Sequence, residues 1–299
     1  MGKARRSMSV DVSEIKAFHE CKRMWKLSSR NGMHLRPFVT PPAYAVGTLF
    51  HNALHSLYTE VPLEKVMDYV KAQAVGDEFR CLFAMVPGYA DTVLVEDLER
   101  YEVLEIEHRF SFLPRTPAGE DIDVGVNIVG SIDMIVLDRT NDKVYGFEHK
   151  TAKNFRQDIY MWMDEQPRVY SEALIRYLED TDGLDPSQFG GIYINEVKKL
   201  LRQFQYKRTL CEYPGDDLQN FMTHFYMTAL DVKEYVSSND PALPCPGYMK
   251  CQMCTYATIC ETYMYSTLDE KELLAEFQEE FQQRLNDHLD DKGDGIDEA

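Results

Sequence analysis

Asp133, Glu148 and Lys150 are the residues of this chain whose types and spacing could act on a phosphate ester. Asp133 closes the run Gly130-Ser131-Ile132-Asp133, and Glu148-His149-Lys150 ends the next apolar segment. In an extended chain residues two apart point the same way, so Glu148 and Lys150 share a face. Two carboxylates can hold Mg2+ or Mn2+ with water and phosphate oxygens completing the shell, and the metal makes hydroxide available near neutral pH. A lysine beside them can orient the attacking water and stabilise the charge that develops on phosphorus. The same pattern alone also describes a turn aspartate and a solvated strand end, so it needs support from elsewhere in the chain.

Cysteines form the second chemical group. Cys251-x2-Cys254-x5-Cys260 has metal-ligand spacing, and soft thiolates prefer iron–sulfur clusters or zinc. Two completions stand open. Cys245 makes a local four-thiolate zinc site, whereas Cys21, far upstream, makes a cluster ligated from distant segments. The chain has seven cysteines and no secretion signal, which fits metal ligation in a reducing compartment better than a disulfide framework. Free thiols are expected at Cys81 and Cys211. His51 and His55 stand one helical turn apart, but without the glutamate of His-Glu-x2-His a zinc-protease site is disfavoured.

The elements that must position these groups follow from periodicity. Ser13 can cap a helix carrying Ile15, Phe18, Cys21 or Lys22, and Trp25 at helical spacing. After a loop with Pro37, Pro41 and Pro42, a second helix starts near Ala45 with Phe50, Leu54, Leu57 and Tyr58 on its apolar side. Residues 63–84 read as a further helix. Strands are expected at 103–113, 123–137 and 143–149, the last two joined through Thr140-Asn141-Asp142 as an antiparallel hairpin that sets Asp133 beside Glu148 and Lys150. A long helix over 158–178, strands near 189–197 and 203–211, and a helix over 216–236 complete an α/β core. An amphipathic helix over 268–289 and a disordered acidic tail are expected to follow.

With 299 residues, 44% of them hydrophobic, the chain can bury one large core or two modest ones. No apolar run reaches the roughly 18 residues that span a bilayer, and the start lacks a signal-peptide pattern, so a cytoplasmic, membrane-free protein is expected. The net charge of −18 is at odds with phosphate binding until its distribution is considered. Residues 266–299 carry twelve Asp or Glu against Lys271, Arg284 and Lys292, a net −9, which is half the total. Such a tail either competes with nucleic-acid phosphates at low salt or serves only solubility.

Gly47-x3-His51, Gly130-Ser131-Ile132-Asp133, Glu148-His149-Lys150 and Gln166-x3-Tyr170 resemble, in order and approximate spacing, the motifs of the RecB-like branch of the PD-(D/E)XK nuclease superfamily. The resemblance covers most of residues 10–262. Within that branch the chain looks most like the AddB-type and CRISPR-associated exonucleases, which hold an iron–sulfur cluster by one early and three late cysteines. The resemblance implies an α/β restriction-endonuclease-like core, a central mixed sheet flanked by helices, with helical additions. It implies a nuclease domain over 1–265, closed by Cys21 and the 251–260 segment, and an acidic appendage over 266–299.

By the same resemblance, the activity is Mg2+- or Mn2+-dependent hydrolysis of DNA, exonucleolytic on single strands or ends, in recombination and repair. His51, Asp133 and Glu148 are then metal ligands with the backbone carbonyl of His149, and Lys150 is the catalytic lysine. Gln166 and Tyr170 face the site, contacting the nucleic acid or positioning Lys150. Cys21, Cys251, Cys254 and Cys260 hold a structural [4Fe–4S] cluster, and Lys22-Arg23-Met24-Trp25 resembles the basic and aromatic residues after the first cysteine. His149 departs from the pattern, which usually has an apolar residue between the Glu and the Lys. Glu107, on the preceding strand, is a further carboxylate for the outer ring of the site. The implied partners are DNA and a helicase, annealing or recombination protein, or CRISPR integration machinery.

Two other classes of function compete with this one. In the first, the chain is a nucleic-acid-binding or assembly subunit with a vestigial site, docking a partner through its acidic tail. In the second, it is an acidic mimic of nucleic acid, which accounts for the charge and leaves both motif sets unexplained.

Overall fold

The computed structural model describes residues 7–35, 42–74, 76–116, 118–238 and 242–265, with Glu272 and Ala275 beyond them. In chain order the elements are β1 (Met8–Val10), α1 (Val12–Glu20), α2 (Lys22–Ser28), α3 (Pro42–Tyr58), α4 (Leu63–Gln73), α5 (Leu82–Tyr89) and α6 (Val95–Arg100). Then come β2 (Tyr101–Phe112), β3 (Val126–Asp138), β4 (Lys143–Ala152), α7 (Asp158–Trp162), α8 (Glu165–Asp180), β5 (Phe189–Lys198) and β6 (Tyr206–Cys211). Three helices follow: α9 (Gly215–Ser237), α10 (Tyr248–Gln252) and α11 (Ala257–Tyr265). Two compact units result, Met1–Val12 with Pro41–Lys233, and Ser13–Thr40 with Glu234–Ala299.

The first unit is built on one mixed sheet in the order β1-β3-β4-β5-β6, with β2 on the other edge of β3. Rich in β-branched residues, β3 is paired along its length by antiparallel β2. Its opposite edge is shared. Parallel β1 takes Val126–Ile128, and antiparallel β4 takes Met134–Asp138 against Phe147–Lys143. The strands β3 and β4 therefore fork just where Asp133 and Glu148 stand. Beyond the fork β4 runs on against parallel β5, with Glu148 level with Ile194 and Lys150 level with Glu196.

Apolar side chains at helical spacing on α3, Val46, Leu49, Phe50, Ala53, Leu54 and Leu57, are buried in a core shared with Leu82, Met85, Tyr89, Met134, Val136 and Phe147. On α8, Val169, Ala173, Leu174 and Leu178 are buried. Gly146 lies beneath that helix, where a Cβ would come within 2.7 Å of Ile192 and 3.8 Å of Leu174.

In the second unit Phe18, Trp25 and Tyr235 meet edge to face, with ring centroids 5.3 to 5.8 Å apart. Buried Leu27, Tyr256 and Ile259 form a small core with Met24, Met33, Leu35 and Cys254 against it. Glu14 is held by the Ser29 hydroxyl and by the Asn31 amide at 3.2 Å. Among the described residues no helix is long and apolar enough to cross a membrane.

Several expected elements are corrected. The single helix through Cys21 is two, because Cys21 is extended (φ −163°, ψ 108°) while its N–H still bonds Ala17 O and its carbonyl accepts from Trp25 N–H. The expected helix 63–84 stops at Gln73; Gly76 takes φ +116°, a conformation L side chains rarely adopt, and a short tight turn leads into α5. The expected helix 158–178 is broken at Met163–Asp164, because the Asp164 carboxylate caps α8 by accepting from the Gln166 N–H at 3.0 Å. The strand expected from 123 begins at Val126, since Asp123 accepts from the Gly125 N–H at 2.9 Å in a turn of its own. Strand β6 starts at Tyr206 rather than 203, while β1 and the helical residues 85–100 have no counterpart among the expected elements. Apart from Glu272 and Ala275, the helix expected over 268–289 and the acidic tail lie outside the described residues.

Candidate active site

At the fork, four elements bring their chemistry together. The α3 helix carries His51, β3 carries Asp133, β4 carries Glu148 and Lys150, and α8 supplies Gln166 and Tyr170 from its first turns. His51 Nδ1 stands 3.4 Å from Asp133 Oδ2, and the same oxygen accepts the backbone N–H of His149 at 2.7 Å. Lys150 pairs with Oε1 of Glu148. From the opposite side Gln166 Nε2 donates to that oxygen at 3.0 Å and to the Tyr170 hydroxyl at 2.7 Å. Every charged residue expected at the site is thus present and adjacent. At Gly47 α3 passes β4, where a Cβ would lie 3.6 Å from Thr151 Oγ1, an ordinary contact.

Electrostatics separate the two carboxylates. Burial pushes Asp133 up, but the His51 hydrogen bond and charge and the His149 amide outweigh it, and its carboxyl is held below the usual range. Burial and the Asp133 charge push Glu148 up to about 7, against the pull of Lys150. His51 is raised because Asp133 and Glu148 outweigh the desolvation that would lower it. Lys150 is likewise raised, Glu148 overcoming desolvation. The Glu148 side chain is 4% exposed, and its second oxygen, Oε2, is buried without a hydrogen-bond partner among the described residues. A buried carboxylate oxygen left unpaired is costly and suits a cation.

Among the described residues no three of the histidine, cysteine, aspartate and glutamate side chains form a ready metal-holding set. The donor chemistry of the fork nonetheless fits a hard divalent ion: two carboxylates of different basicity, an imidazole, and an unpaired oxygen facing inward. The register of β2 and β3 sets Glu107 across from Asp133, between the pairs Ile106–Met134 and His108–Ile132. Glu107 has φ +53° and lies 3.9 Å from His55 Nδ1, at the rim of a small cavity that His51, Asp133 and His149 also line.

The unusual His149 is fully buried, and burial lowers its imidazole to about 3, so it is neutral. It packs edge-on to His51 at 6.2 Å between centroids, and its Nδ1 lies 3.4 Å from Asn195 Nδ2. Behind Asn195 is a network that sequence reasoning missed. The Asn195 side-chain Oδ1 accepts from Arg208 at 2.7 Å and Tyr206 at 2.9 Å, and Arg208 grips Asp97 with two bonds of 2.7 Å. Tyr58 donates to the same aspartate at 2.5 Å and contacts the Tyr89 hydroxyl at 2.8 Å. A polar residue at position 149 is the one signal that could have hinted at polar company there.

The cysteines form a separate candidate centre in the second unit. Burial raises the Cys254 thiol, with Cys21 and Cys251 adding to it. Burial also raises Cys260, which has Arg23 beside it and Cys254 and Cys21 as neighbours. The Cys245 backbone N–H donates to Cys21 Sγ at 3.4 Å, and the Gly247 N–H to Cys251 Sγ at 3.5 Å. Backbone donors aimed at sulfur suit thiolates that carry charge in a metal centre. Cys81 and Cys211 are buried, away from the other five cysteines in the sequence, and none of the seven is in a disulfide among the described residues.

Comparison with known proteins gives one family. The family model of the PD-(D/E)XK nuclease superfamily matches residues 9–261. No curated protein matches the chain. A solved structure described as "Crystal structure of SSO0001" superposes with a TM-score of 0.33 at 13% identity, covering 87% of this chain and 88% of that one. So loose a superposition carries no argument.

Proposed function

Because the chain belongs to the PD-(D/E)XK nuclease superfamily, we propose that it is a Mg2+- or Mn2+-dependent deoxyribonuclease, an exonuclease acting on single strands or DNA ends in recombination and repair. The observation that carries this reading is the convergence of Asp133, Glu148, Lys150 and His51 on one point of the sheet, with a buried Glu148 oxygen unpaired. Asp133, Glu148 and His51, with the His149 carbonyl, would hold the metal, which when bound supplies a water of lowered pKa and neutralises phosphate charge.

The chain's own residues do the rest. Lys150, kept protonated by Glu148, is placed to orient the attacking water and to stabilise the charge developing on phosphorus. Gln166 fixes the Glu148 carboxylate and is itself held by Tyr170. Cys21, Cys251, Cys254 and Cys260 would carry a structural [4Fe–4S] cluster that staples the first helices to the end of a nuclease domain spanning 1–265, with 266–299 as an acidic appendage. Cys245 would contribute its amide rather than its sulfur. Partners on this reading are DNA and a helicase, annealing or recombination protein. The test is degradation of end-labelled single-stranded and duplex DNA with Mg2+ or Mn2+, with EDTA and Lys150→Ala as controls. Full activity in either control sinks the assignment.

A further inference from the structure

Beside the metal-binding residues lies an open cleft of about 560 Å³, lined by Tyr44, Thr48 and His51 on α3, by Glu107, and by Lys150, Thr151 and Lys199 on the side of the sheet. Three features of its walls are unexplained by hydrolysis alone. Tyr44, in the first turn of α3, leaves 70% of its surface to solvent, although an aromatic of that size is usually covered. Thr48 bonds the Tyr44 carbonyl at 3.1 Å, which stiffens the turn that carries the ring. Lys199 opposite is partly buried and lowered from the ordinary lysine value, chiefly by desolvation and also by the nearby charge of Lys153. Neither Lys199 nor Lys153 has a carboxylate partner among the described residues, in a protein of net charge −18 where acidic groups abound. A cation on a cleft wall with no carboxylate to neutralise it attracts an anion.

Resting on the nuclease reading, we infer that this cleft holds one unpaired nucleotide next to the scissile phosphate, with its base stacked on Tyr44 and its phosphate taken by Lys199. An exposed ring offers a face to any base, whereas a base inside a duplex already has both faces occupied, so the clamp selects single strand over duplex without reading sequence. Lys199 contributes the salt-sensitive part of the affinity, and the ring contributes the discrimination.

The test measures binding by fluorescence anisotropy of the full chain, with Ca2+ in place of Mg2+, to a labelled single-stranded DNA oligonucleotide and to the same sequence as blunt duplex. Tyr44→Ala should weaken single-strand binding about tenfold and leave duplex binding unchanged, whereas Tyr44→Phe and Tyr44→Trp retain it. An abasic site stepped along the strand adds a structural control. At one position it should cost the unmodified protein what Tyr44→Ala costs, and cost the variant nothing further. Lys199→Ala should lower the slope of log affinity against log salt by about one. No abasic position that cancels the variant's defect, equal weakening on duplex, or failure of Phe to substitute would each overturn the clamp. Should binding behave as stated while Mg2+ and Mn2+ give no cleavage, the nuclease reading fails and the clamp stands.

Discussion

Gln166 stands 3.0 Å from Glu148 and 2.7 Å from the Tyr170 hydroxyl, so α8 fixes a carboxylate that belongs to β4. Glu148 Oε1 is held between this amide and Lys150, which leaves Oε2 as the oxygen available to a cation. Outer residues of this kind orient a ligand without touching the ion. Gln166→Ala is therefore expected to raise the half-saturating Mn2+ concentration for hydrolysis and to lower the rate, by about 10- to 100-fold in combination. A metal titration of DNA hydrolysis reads both. Tyr170→Phe, which removes one anchor of the amide, should show a smaller defect of the same kind.

On the proposed reading, Asp133→Asn and Lys150→Ala act at the point of reaction. Each should reduce hydrolysis by roughly 100-fold or more, and Asp133→Asn should also lower the unfolding temperature, because the His51 and His149 contacts that hold its carboxyl below the usual range favour the charged form in the folded protein. Single-turnover hydrolysis at saturating Mn2+, paired with thermal unfolding, checks the prediction. Activity that survives either substitution contradicts it.

The raised pKa of Glu148 carries a stability consequence whose sign is opposite to that of an ordinary carboxylate. In the folded protein it titrates near 7 and in the unfolded chain near the usual glutamate value, so between about 4.5 and 7 the folded state binds the extra proton. Its contribution to metal-free stability is therefore best at low pH and is lost as pH rises through 7. Glu148→Gln should be more stable than the parent at pH 8 by on the order of 1–2 kcal/mol, with the difference closing toward pH 5. Urea unfolding of both proteins in EDTA across pH 5–8 measures it, and a pH-independent difference would contradict the assignment.

Asp97 and Arg208 are joined by two 2.7 Å bonds, and Asp97 is almost fully buried. Removing one partner of such a pair leaves the other charge buried and uncompensated. Asp97→Ala should accordingly destabilise the protein by about 3–5 kcal/mol in urea unfolding, whereas Tyr58→Phe, which removes only one donor, should cost about 1 kcal/mol.

On the proposed cluster, anaerobically purified protein should be brown and contain iron, Cys21→Ser should abolish both, and Cys245→Ser should retain both. The reverse pattern would assign a local site built on Cys245. Because Cys21 separates α1 from α2 and Trp25 packs on Phe18 and Tyr235, loss of the centre should also show as a change in the emission of Trp25.

Much of the site is legible in the amino-acid sequence because its signals are local. Asp133, Glu148 and Lys150 belong to one hairpin, whose turn and apolar alternation fix which side chains meet. Gln166 and Tyr170 are one helical turn apart, so any helix there puts them on one face. The same periodicity runs straight through Cys21 and Asp164, where single residues leave the helix while their neighbours keep the helical pattern. Asp97 and Arg208 are 111 residues apart on a short helix and an edge strand, and neither carries a local pattern that names the other. The fork is hidden from sequence for a related reason, since β1 is three residues long and claims part of an edge that the hairpin alone would have occupied.

The hydrogen bond from the His149 amide to Asp133 Oδ2 makes that one proton a built-in reporter. Its acceptor is an oxygen expected to ligate the ion, so a cation drawing charge from the carboxylate must shift the amide resonance of residue 149. In a nitrogen-labelled sample this resonance would follow metal occupancy in the absence of DNA and of turnover, and would let a variant that cannot bind the ion be told from one that binds it and cannot react.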